Sequence, residues 1–376
     1  VETPKGLRLH IGLFGKRNAG KSSLINALTN QKISIVSEVA GTTTDPVEKA
    51  CELAPIGPVV FIDTAGVDDV GALGLARVER TRAVLEWVDI ALVVANARDF
   101  DECESDLVEH LRKLGTPAVL VINKSDLHPA DEAFMTRMRA YGIPVVLTDA
   151  ETKAGIADLR KAIIDLAANR IPKDRALVGD LVQAGDTVVL VTPIDTGAPK
   201  GRLILPQVQA IRELLDAHAN ASRQQDRVAE SIAELRHPPK LVMADSQVIM
   251  DVAAQTPEDI PLTTFSIQMA YSKADVIEMA RGTAALASLE DGDRVLICET
   301  CSHHPQKDDI GRIKIPRWLR QKNGKDLQIE VAVGKDFPVD LTPYKVLIQC
   351  GGCVVTRRHM LMRLRAAHAQ NVPMTN

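Results

Sequence analysis

Aromatic side chains make up only 3% of this 376-residue sequence. Its hydrophobic cores must therefore consist mainly of Val, Leu, Ile and Ala. No run of about 18 apolar residues occurs, so a membrane-spanning helix is not expected. A secretory signal pattern is also missing. We therefore expect a cytoplasmic protein without a membrane partner.

The sequence also has no large excess of charge of one sign, and it has few cysteines. A formal net charge of -4 gives no indication of broad nucleic-acid binding. The six cysteines are too few for a disulfide scaffold, and four of them form two C-x-x-C pairs, which in a cytoplasmic protein favour a metal site. At about 150 residues per domain, the length indicates two or three domains.

The first motif that carries chemistry is a phosphate-binding loop. LRLHIGLFG, residues 7–15, is typical of a strand, and GKRNAGKSS then follows the pattern G-x-x-x-x-G-K-[ST] before a segment with helical periodicity. Backbone N–H groups of such a loop point at phosphates, its lysine reaches the β- and γ-phosphates and its serine binds Mg²⁺. The predicted nucleotide-binding residues here are Gly15, Asn18, Ala19, Gly20, Lys21, Ser22 and Ser23.

A second motif indicates that the base is guanine. AVLVINKSDL, residues 118–127, is an apolar strand that runs into Asn123, Lys124, Ser125 and Asp126. The Asp126 carboxylate can accept hydrogen bonds from N1–H and the 2-amino group of guanine, whereas adenine presents the opposite pattern. Lys124 would lie along the base, and Asn123 would brace the loop. The sequence therefore predicts GTP and GDP as ligands.

A third segment indicates how Mg²⁺ and the γ-phosphate are contacted. VVFIDTAG, residues 59–66, is an apolar strand that ends in D-T-A-G. Asp63 is predicted to hold Mg²⁺ through water, and the Gly66 N–H to contact the γ-phosphate. The polar segment VAGTTTDP, residues 39–46, could close over both in the triphosphate state.

Together these motifs resemble the small GTPases related to translation factors, closest to the TrmE and Era group, over roughly residues 7–170. The resemblance implies that Thr43 contacts Mg²⁺ and that Asn18 helps to bind K⁺, which replaces the charge of an arginine finger. Val67 stands where Ras-like proteins have a water-positioning glutamine. Glu79 could orient the attacking water, or could be a solvated helix position.

The catalytic residues expected from this resemblance are Lys21 and Glu79. The group usually contacts guanine through a further segment, S-A-[KR], for which Asp149 and Ala150 are a weak match. Ala150 is therefore included among the predicted GTP-binding residues.

The middle of the chain, residues 172–258, contains no catalytic constellation. It has strand-like segments at 186–195 and 240–246 and an amphipathic helix at 206–220. A small α/β unit of this kind often completes its core against a second copy, so dimerisation is the expected role and a passive spacer is the alternative.

The last part contains the two cysteine pairs. Residues 262–297 are expected to form a strand, PLTTFSIQ, a helix over 271–289, and a strand, DRVLI, followed by CETCSHHPQ. YKVLIQC, residues 344–350, is another strand and leads into CGGC, so both pairs are expected just beyond strand ends. The spacing suits a Cys₄ zinc site or an iron–sulfur cluster, and disulfides are disfavoured.

The pattern C-x-H, about 45 residues, then x-C-x-x-C resembles the FeFe-hydrogenase maturation GTPases, HydF, and the resemblance covers the whole chain. It implies that Cys301, Cys350 and Cys353 bind a 4Fe–4S cluster with one labile position. His303 matches the family histidine, and His303 or His304 is a candidate fourth ligand, with Asp308 or water as alternatives. Gln349 replaces the histidine that usually precedes the second cysteine pair. Cys298, Cys51 and Cys103 lie outside the pattern.

The sequence thus predicts an α/β protein with a P-loop GTPase domain, residues 1–171, a dimerisation domain, 172–258, and a cluster-binding domain, 259–376. By resemblance its cofactors are GTP/GDP, Mg²⁺, K⁺ and a 4Fe–4S cluster. It would be a homodimer that receives a diiron precursor from radical-SAM maturation enzymes and delivers it to the FeFe-hydrogenase apoprotein. The alternatives are a GTPase with a structural zinc domain in tRNA modification or ribosome assembly, and a redox-sensing GTPase.

Overall fold

The computed structural model describes residues 5–29, 46–68, 72–170, 175–192, 203–224, 227–299, 310–334 and 337–376. The chain divides into two compact units, Val1–Lys173 and Asp174–Asn376. Among the residues described, no helix is both long and apolar enough to cross a membrane.

The first unit contains a six-stranded sheet with helices. Its strands are β1 Leu9–Phe14, β2 Val47–Leu53, β3 Gly57–Asp63, β4 Ile90–Ala95, β5 Ala118–Ile122 and β6 Val145–Leu147. Its helices are α1 Lys21–Thr29, α2 Ala72–Trp87, α3 Glu102–Leu114, α4 Glu132–Arg139 and α5 Ile156–Arg170. The strand order is β2-β3-β1-β4-β5-β6, and only the pair of β2 with β3 is antiparallel.

Strands β4 and β5 are buried along their entire length, as their continuous apolar sequences predict. A parallel sheet covered on both faces leaves its ligand site at the carboxyl ends of the strands. The loops after β1, β3 and β5, which carry the three nucleotide motifs, all begin at that edge.

The second unit contains two parallel four-stranded sheets. One has the order β10-β9-β7-β8, and the other β12-β11-β13-β14. The strands are β7 Thr187–Val191, β8 Asn220–Gln224, β9 Leu241–Ala244, β10 Leu262–Thr264, β11 Arg294–Glu299, β12 Gln328–Val333, β13 Val346–Gln349 and β14 Met374–Thr375. The helices are α6 Leu205–Asp216, α7 Val228–Ala233, α8 Ile249–Gln255, α9 Phe265–Lys273, α10 Val276–Thr283, α11 Ile315–Asn323 and α12 Arg357–Ala369.

Strand β10 pairs with β9, so the first of these sheets continues beyond residue 258, where the sequence predicts the end of the dimerisation domain. The strand is also shorter than PLTTFSIQ suggests, because a helix begins at Phe265. The hydroxyl of Thr264 accepts a hydrogen bond from the Ile267 N–H at 3.1 Å and caps that helix.

The single helix expected over 271–289 is instead divided. Helix α9 ends at Lys273, and α10 begins after Asp275, whose carboxylate accepts from the N–H groups of Ile277 and Glu278 at 3.1 Å each. A short 3₁₀ turn, Ala284–Ser288, follows α10. Local capping by a short polar side chain therefore outweighs the helical periodicity of this segment.

Candidate functional sites

The phosphate loop, residues 15–20, joins β1 to α1. Gly15 and Gly20 have φ of 144° and 94°, which side chains other than glycine rarely adopt. A Cβ on Gly15 would lie 2.0 Å from the Val94 carbonyl oxygen, so the loop approaches β4 too closely for any side chain. Asn18 lies at the exposed tip with φ of 57°, a conformation that asparagine tolerates better than most residues.

The buried Lys21 side chain bridges the start of this loop. Its Nζ donates to the carbonyl oxygens of Gly15 at 2.9 Å and Lys16 at 2.8 Å. These two carbonyl partners carry no formal charge, so the contacts do not neutralise the positive charge of the Lys21 ammonium group beside the loop. This is the position from which a lysine can attract phosphate oxygens.

Two of the three predicted Mg²⁺ residues are in direct contact. The Ser22 hydroxyl donates to Oδ2 of Asp63 at the end of β3. Burial raises the pKa of Asp63, while the Ser22 hydrogen bond and the Lys21 charge oppose that rise. Hydroxyl and carboxylate oxygens are suitable Mg²⁺ partners. Thr43, the third predicted residue, lies outside the described residues.

The D-T-A-G segment rests against the phosphate loop. A Cβ on Gly66 would lie 2.8 Å from the Arg17 backbone nitrogen. The Val67 N–H donates to the Gly15 carbonyl oxygen at 3.3 Å, and the Arg17 N–H donates to Oδ1 of Asp68 at 2.8 Å. Only a glycine allows this approach.

The predicted catalytic residue Glu79 lies within α2, and its side chain is outside what the structure describes. Its role in orienting water stays a prediction. Ser23 is exposed on the first turn of α1, next to Ser22.

Asn123 connects the predicted guanine segment to the phosphate loop. Its side chain is buried, its Nδ2 donates to the Ala19 carbonyl oxygen at 3.0 Å, and its Oδ1 accepts from the Thr148 hydroxyl at 3.1 Å. Lys124 follows with φ of 58°, and Asp126 is exposed. Asn123 is therefore a brace between loops, and Asp126 is accessible to a ligand.

The weak match at Asp149 and Ala150 forms a hydrogen-bonded turn after β6. The Asp149 carboxylate accepts from the Glu151 N–H at 2.8 Å and from the Thr152 hydroxyl, which lowers the pKa of Asp149. Ala150 is half-buried and packs against the core of the first unit. The Asp149 side chain is thus engaged within its own turn.

The second pair of cysteines follows β13, next to β11 in the second sheet of the second unit. The Cys350 N–H donates to the Cys298 carbonyl oxygen at 3.0 Å. Gly351 and Gly352 have φ of 45° and 74°, and a Cβ on Gly351 would lie 3.3 Å from Sγ of Cys353. The two glycines reverse the chain immediately after Cys350.

Cys350 and Cys353 therefore lie on one tight turn at the carboxyl edge of a parallel sheet. Two thiols so placed fit zinc or an iron–sulfur cluster, both of which take thiolate ligands. Cys301, His303, His304 and Asp308 lie outside the described residues. Within the described ranges, no group of three or more metal-binding side chains occurs.

Cys298 lies inside β11 rather than beyond it, which corrects the expectation that both pairs follow their strands. Its side chain is fully buried in an apolar core, and burial raises its pKa to about 12. Burial also raises the pKa of Cys353, which packs against the core of the first sheet of this unit, but there the nearby charge of Lys273 opposes the rise.

Gln349 is fixed by hydrogen bonds within the sheet edge. Its Nε2 donates to the Cys298 carbonyl oxygen at 2.9 Å, and its Oε1 accepts from Nη1 of the buried Arg363 at 3.2 Å. Nη2 of Arg363 donates to the Gly334 carbonyl oxygen at 2.6 Å, and burial lowers the pKa of Arg363. The glutamine that replaces the usual histidine is thus engaged as a structural link between strands.

Three family models match successive parts of the chain. Residues 10–124 match the 50S ribosome-binding GTPase model. Residues 177–274 match the hydrogen maturase F dimerization domain, and residues 277–376 match the hydrogen maturase F tetramerization domain. The last two models together cover more than half of the chain. The chain belongs to the hydrogen maturase F family. This confirms the predicted family and the predicted fold class, a P-loop GTPase domain followed by two smaller α/β domains.

Curated relatives match the GTPase part of this hydrogen maturase F family member. The tRNA modification GTPase MnmE of Exiguobacterium sibiricum is 37% identical over 163 residues, which are 42% of this chain and 34% of that protein. MnmE of Bacillus subtilis is 36% identical over 159 residues, 41% of this chain and 33% of that protein. The chain thus spans about a third of the length of these relatives.

Solved structures of GTPases are also similar. The G domain of FeoB from Methanococcus jannaschii is 24% identical in sequence, with a TM-score of 0.35. The matched region is 43% of this chain and 99% of the FeoB chain. Era of Aquifex aeolicus is 20% identical in sequence, with a TM-score of 0.38. The matched region is 57% of this chain and 92% of the Era chain.

Three residues at the sites of this hydrogen maturase F family member could not be found from the sequence. Thr148 holds Asn123, Arg363 holds Gln349, and Lys273 contacts the turn that carries Cys353. Each lies far along the chain from its partner or in another element, and none was among the predicted site residues. The burial of Lys273 and Arg363 is visible only in the structure.

Proposed function

We propose that this chain is a GTP-hydrolysing scaffold that holds a 4Fe–4S cluster and carries a diiron precursor to the FeFe-hydrogenase apoprotein. Its membership of the hydrogen maturase F family and its GTPase domain support this proposal. The observation that carries the cluster-binding part is the turn of Cys350 and Cys353 at the carboxyl edge of β13. We propose radical-SAM maturation enzymes as the source of the precursor.

GTP would bind at the phosphate loop, with guanine against Asp126 and Mg²⁺ held by Ser22, Thr43 and Asp63. The contact between the Ser22 hydroxyl and Asp63 supports this pairing. Lys21 would stabilise charge on the phosphates, and K⁺ bound near Asn18 would supply the charge of an arginine finger. Hydrolysis would act as a timer for cargo transfer rather than as the chemistry on the cargo.

Cys301, Cys350 and Cys353 would hold the cluster, with His303 or His304 or an exchangeable ligand in the fourth position. When bound, the cluster would supply an iron with a replaceable ligand, which suits a carrier. Cys298 is buried within β11, and Gln349 is engaged with Arg363, so neither is proposed as a ligand.

The protein would work as a homodimer in the cytoplasm through its middle domain. The family model for a dimerization domain supports an oligomer, as does the tetramerization model that follows it. We propose three domains, with the first ending near residue 171. The position of β10 and the limits of the family models favour a second boundary nearer residue 275 than residue 258.

The test is metal and sulfide analysis of the anaerobically purified protein, together with a GTPase assay. We expect iron, acid-labile sulfide and broad absorption at about 400 nm in a protein that hydrolyses GTP. Zinc without that absorption would overturn the cluster assignment. It would favour the alternative of a zinc-containing GTPase in tRNA modification, the activity named for the MnmE relatives.

A further inference from the structure

The last residue of α9, Lys273, is fully buried against the turn that carries the second pair of cysteines. Its Nζ donates to the carbonyl oxygens of Gly352 and Cys353 at 3.2 Å each, and of Val355 at 2.8 Å. One side chain therefore binds three of the four carbonyl groups between Gly352 and Val355. These contacts connect the chain reversal at Gly352 with Val355, two residues before α12 begins.

A second contact fixes the same junction from the opposite side. Nη1 of Arg357, in the first turn of α12, donates to the Ser272 carbonyl oxygen at 2.7 Å. Carbonyl groups at the end of a helix lack partners within that helix and favour a cation nearby. The end of α9 and the cysteine turn are thus connected by two reciprocal hydrogen-bonding side chains.

An ammonium group loses its hydration when it is buried, and hydrogen bonds must compensate for that loss. The three carbonyl oxygens provide such bonds. In the protein interior the field of a charge is weakened less than in water. Lys273 therefore places a positive charge beside Cys353, whose own carbonyl group it contacts. The charges of Lys273 and Asp245 act on the Cys353 thiol in opposite directions, and the effect of Lys273 is the larger of the two.

We propose that Lys273 is a positioning residue for the iron–sulfur site, one that holds the Gly352–Val355 turn and offsets the negative charge of the thiolates of Cys350 and Cys353. Net charge and nearby hydrogen bonds set the reduction potential of such clusters. A fixed positive charge favours the reduced form, because that form carries one more electron. This inference rests on the proposed function.

The experiment compares full-length Lys273→Met and Lys273→Arg proteins after anaerobic reconstitution. Lys345→Met is the matched control, since Lys345 is exposed and lies before β13, at the end of the strand opposite to Cys350. Iron per chain and the midpoint potential, from a titration followed by electron spin resonance, are measured. GTP hydrolysis and thermal unfolding monitor the fold.

We expect Lys273→Met to retain about half of the wild-type iron or less. At a fixed potential its remaining cluster should have a ratio of reduced to oxidised form about tenfold lower, a shift of about 59 mV for one electron. Lys273→Arg should recover the potential, and Lys345→Met should match the wild type. If Lys273→Met does not fold, Lys273→Gln keeps a donor without the charge and should show the same lowering of potential.

A wild-type potential in the Met or Gln variant overturns this inference, whatever its iron content. If the wild-type protein itself binds no iron–sulfur cluster, the proposed function fails instead. If the wild type binds the cluster and the Lys273 variants match it in potential, only the role of Lys273 is wrong.

Discussion

Asn123 donates a hydrogen bond from Nδ2 to the carbonyl oxygen of Ala19 at 3.0 Å, across a sequence separation of 104 residues. The Thr148 hydroxyl donates to the other end of the same amide. A Cβ on Gly20 would lie 2.3 Å from Nδ2 of Asn123, so the glycine admits this contact. The phosphate loop and the segment proposed to bind guanine therefore form one connected structure.

Replacing Asn123 with Ala should weaken both the first unit and its nucleotide site. The substitution leaves the buried Ala19 carbonyl and the Thr148 hydroxyl without this partner, which costs about 1–3 kcal/mol for each buried polar group left unsatisfied. We expect a lower free energy of unfolding in denaturant and a lower GDP affinity in a fluorescence titration. Asn169→Ala is the control, because that amide is exposed and bonds within α5. Wild-type GDP affinity in the Asn123 variant would contradict the bracing role.

Asp126→Asn should change the base that the site prefers. An asparagine amide can donate to the 2-oxo group of xanthine, whereas the carboxylate accepts from the 2-amino group of guanine. We expect the ratio of GTP to xanthosine triphosphate affinity to fall by at least about tenfold, or about 1.4 kcal/mol. Competition binding measures this ratio, with the exposed Asp158→Asn as control. Unchanged affinities for both nucleotides would show that Asp126 does not contact the base.

K⁺ should accelerate GTP hydrolysis relative to Na⁺. Asn18 lies at the exposed tip of the phosphate loop with φ of 57°, and Val67 cannot position water as a glutamine does. We expect turnover to rise at least about tenfold in K⁺, a part of the 10³-fold or greater effect of an arginine finger. Asn18→Ala should remove the difference between the two salts, and Asn169→Ala should keep it. Equal wild-type rates in the two salts would refute the K⁺ site.

Lys21→Ala should abolish nucleotide binding while it leaves iron content unchanged. Its ammonium bonds within the phosphate loop of the first unit, and Cys350 and Cys353 belong to the second unit. GDP titration and iron analysis of the same preparation test the two expectations together. The exposed Lys113→Ala is the control. A parallel loss of iron in Lys21→Ala alone would show that the cluster depends on an intact nucleotide loop.

The nucleotide motifs could be predicted from the sequence because each is local. Gly15, Lys21 and Ser22 lie within eight consecutive residues, and the glycines of the motif indicate the backbone conformation that the loop requires. The same holds for the turn of Gly351 and Gly352 between two cysteines. The predicted family rested on a resemblance in the pattern of cysteines and histidines, and the family models confirm it.

Contacts between distant segments could not be predicted in this way. Lys273 meets Val355 across 82 residues, and the tertiary fold alone brings them together. The division between α9 and α10 is not visible in the helical periodicity, because it depends on capping of α10 by the Asp275 carboxylate. The place of β10 in a sheet depends on pairing with β9, which no pattern within the strand itself reveals.

The most direct test of the proposed cluster site is iron per chain after anaerobic reconstitution of four single Cys→Ser variants. Cys301→Ser, Cys350→Ser and Cys353→Ser should each lose most of the iron, because each removes one of the three proposed thiolates. Cys298→Ser should retain most of it, since that side chain is fully buried in an apolar core within β11. If a folded Cys298→Ser protein loses as much iron as Cys301→Ser, the site is a closed four-cysteine centre, and the proposed carrier with an exchangeable position is wrong.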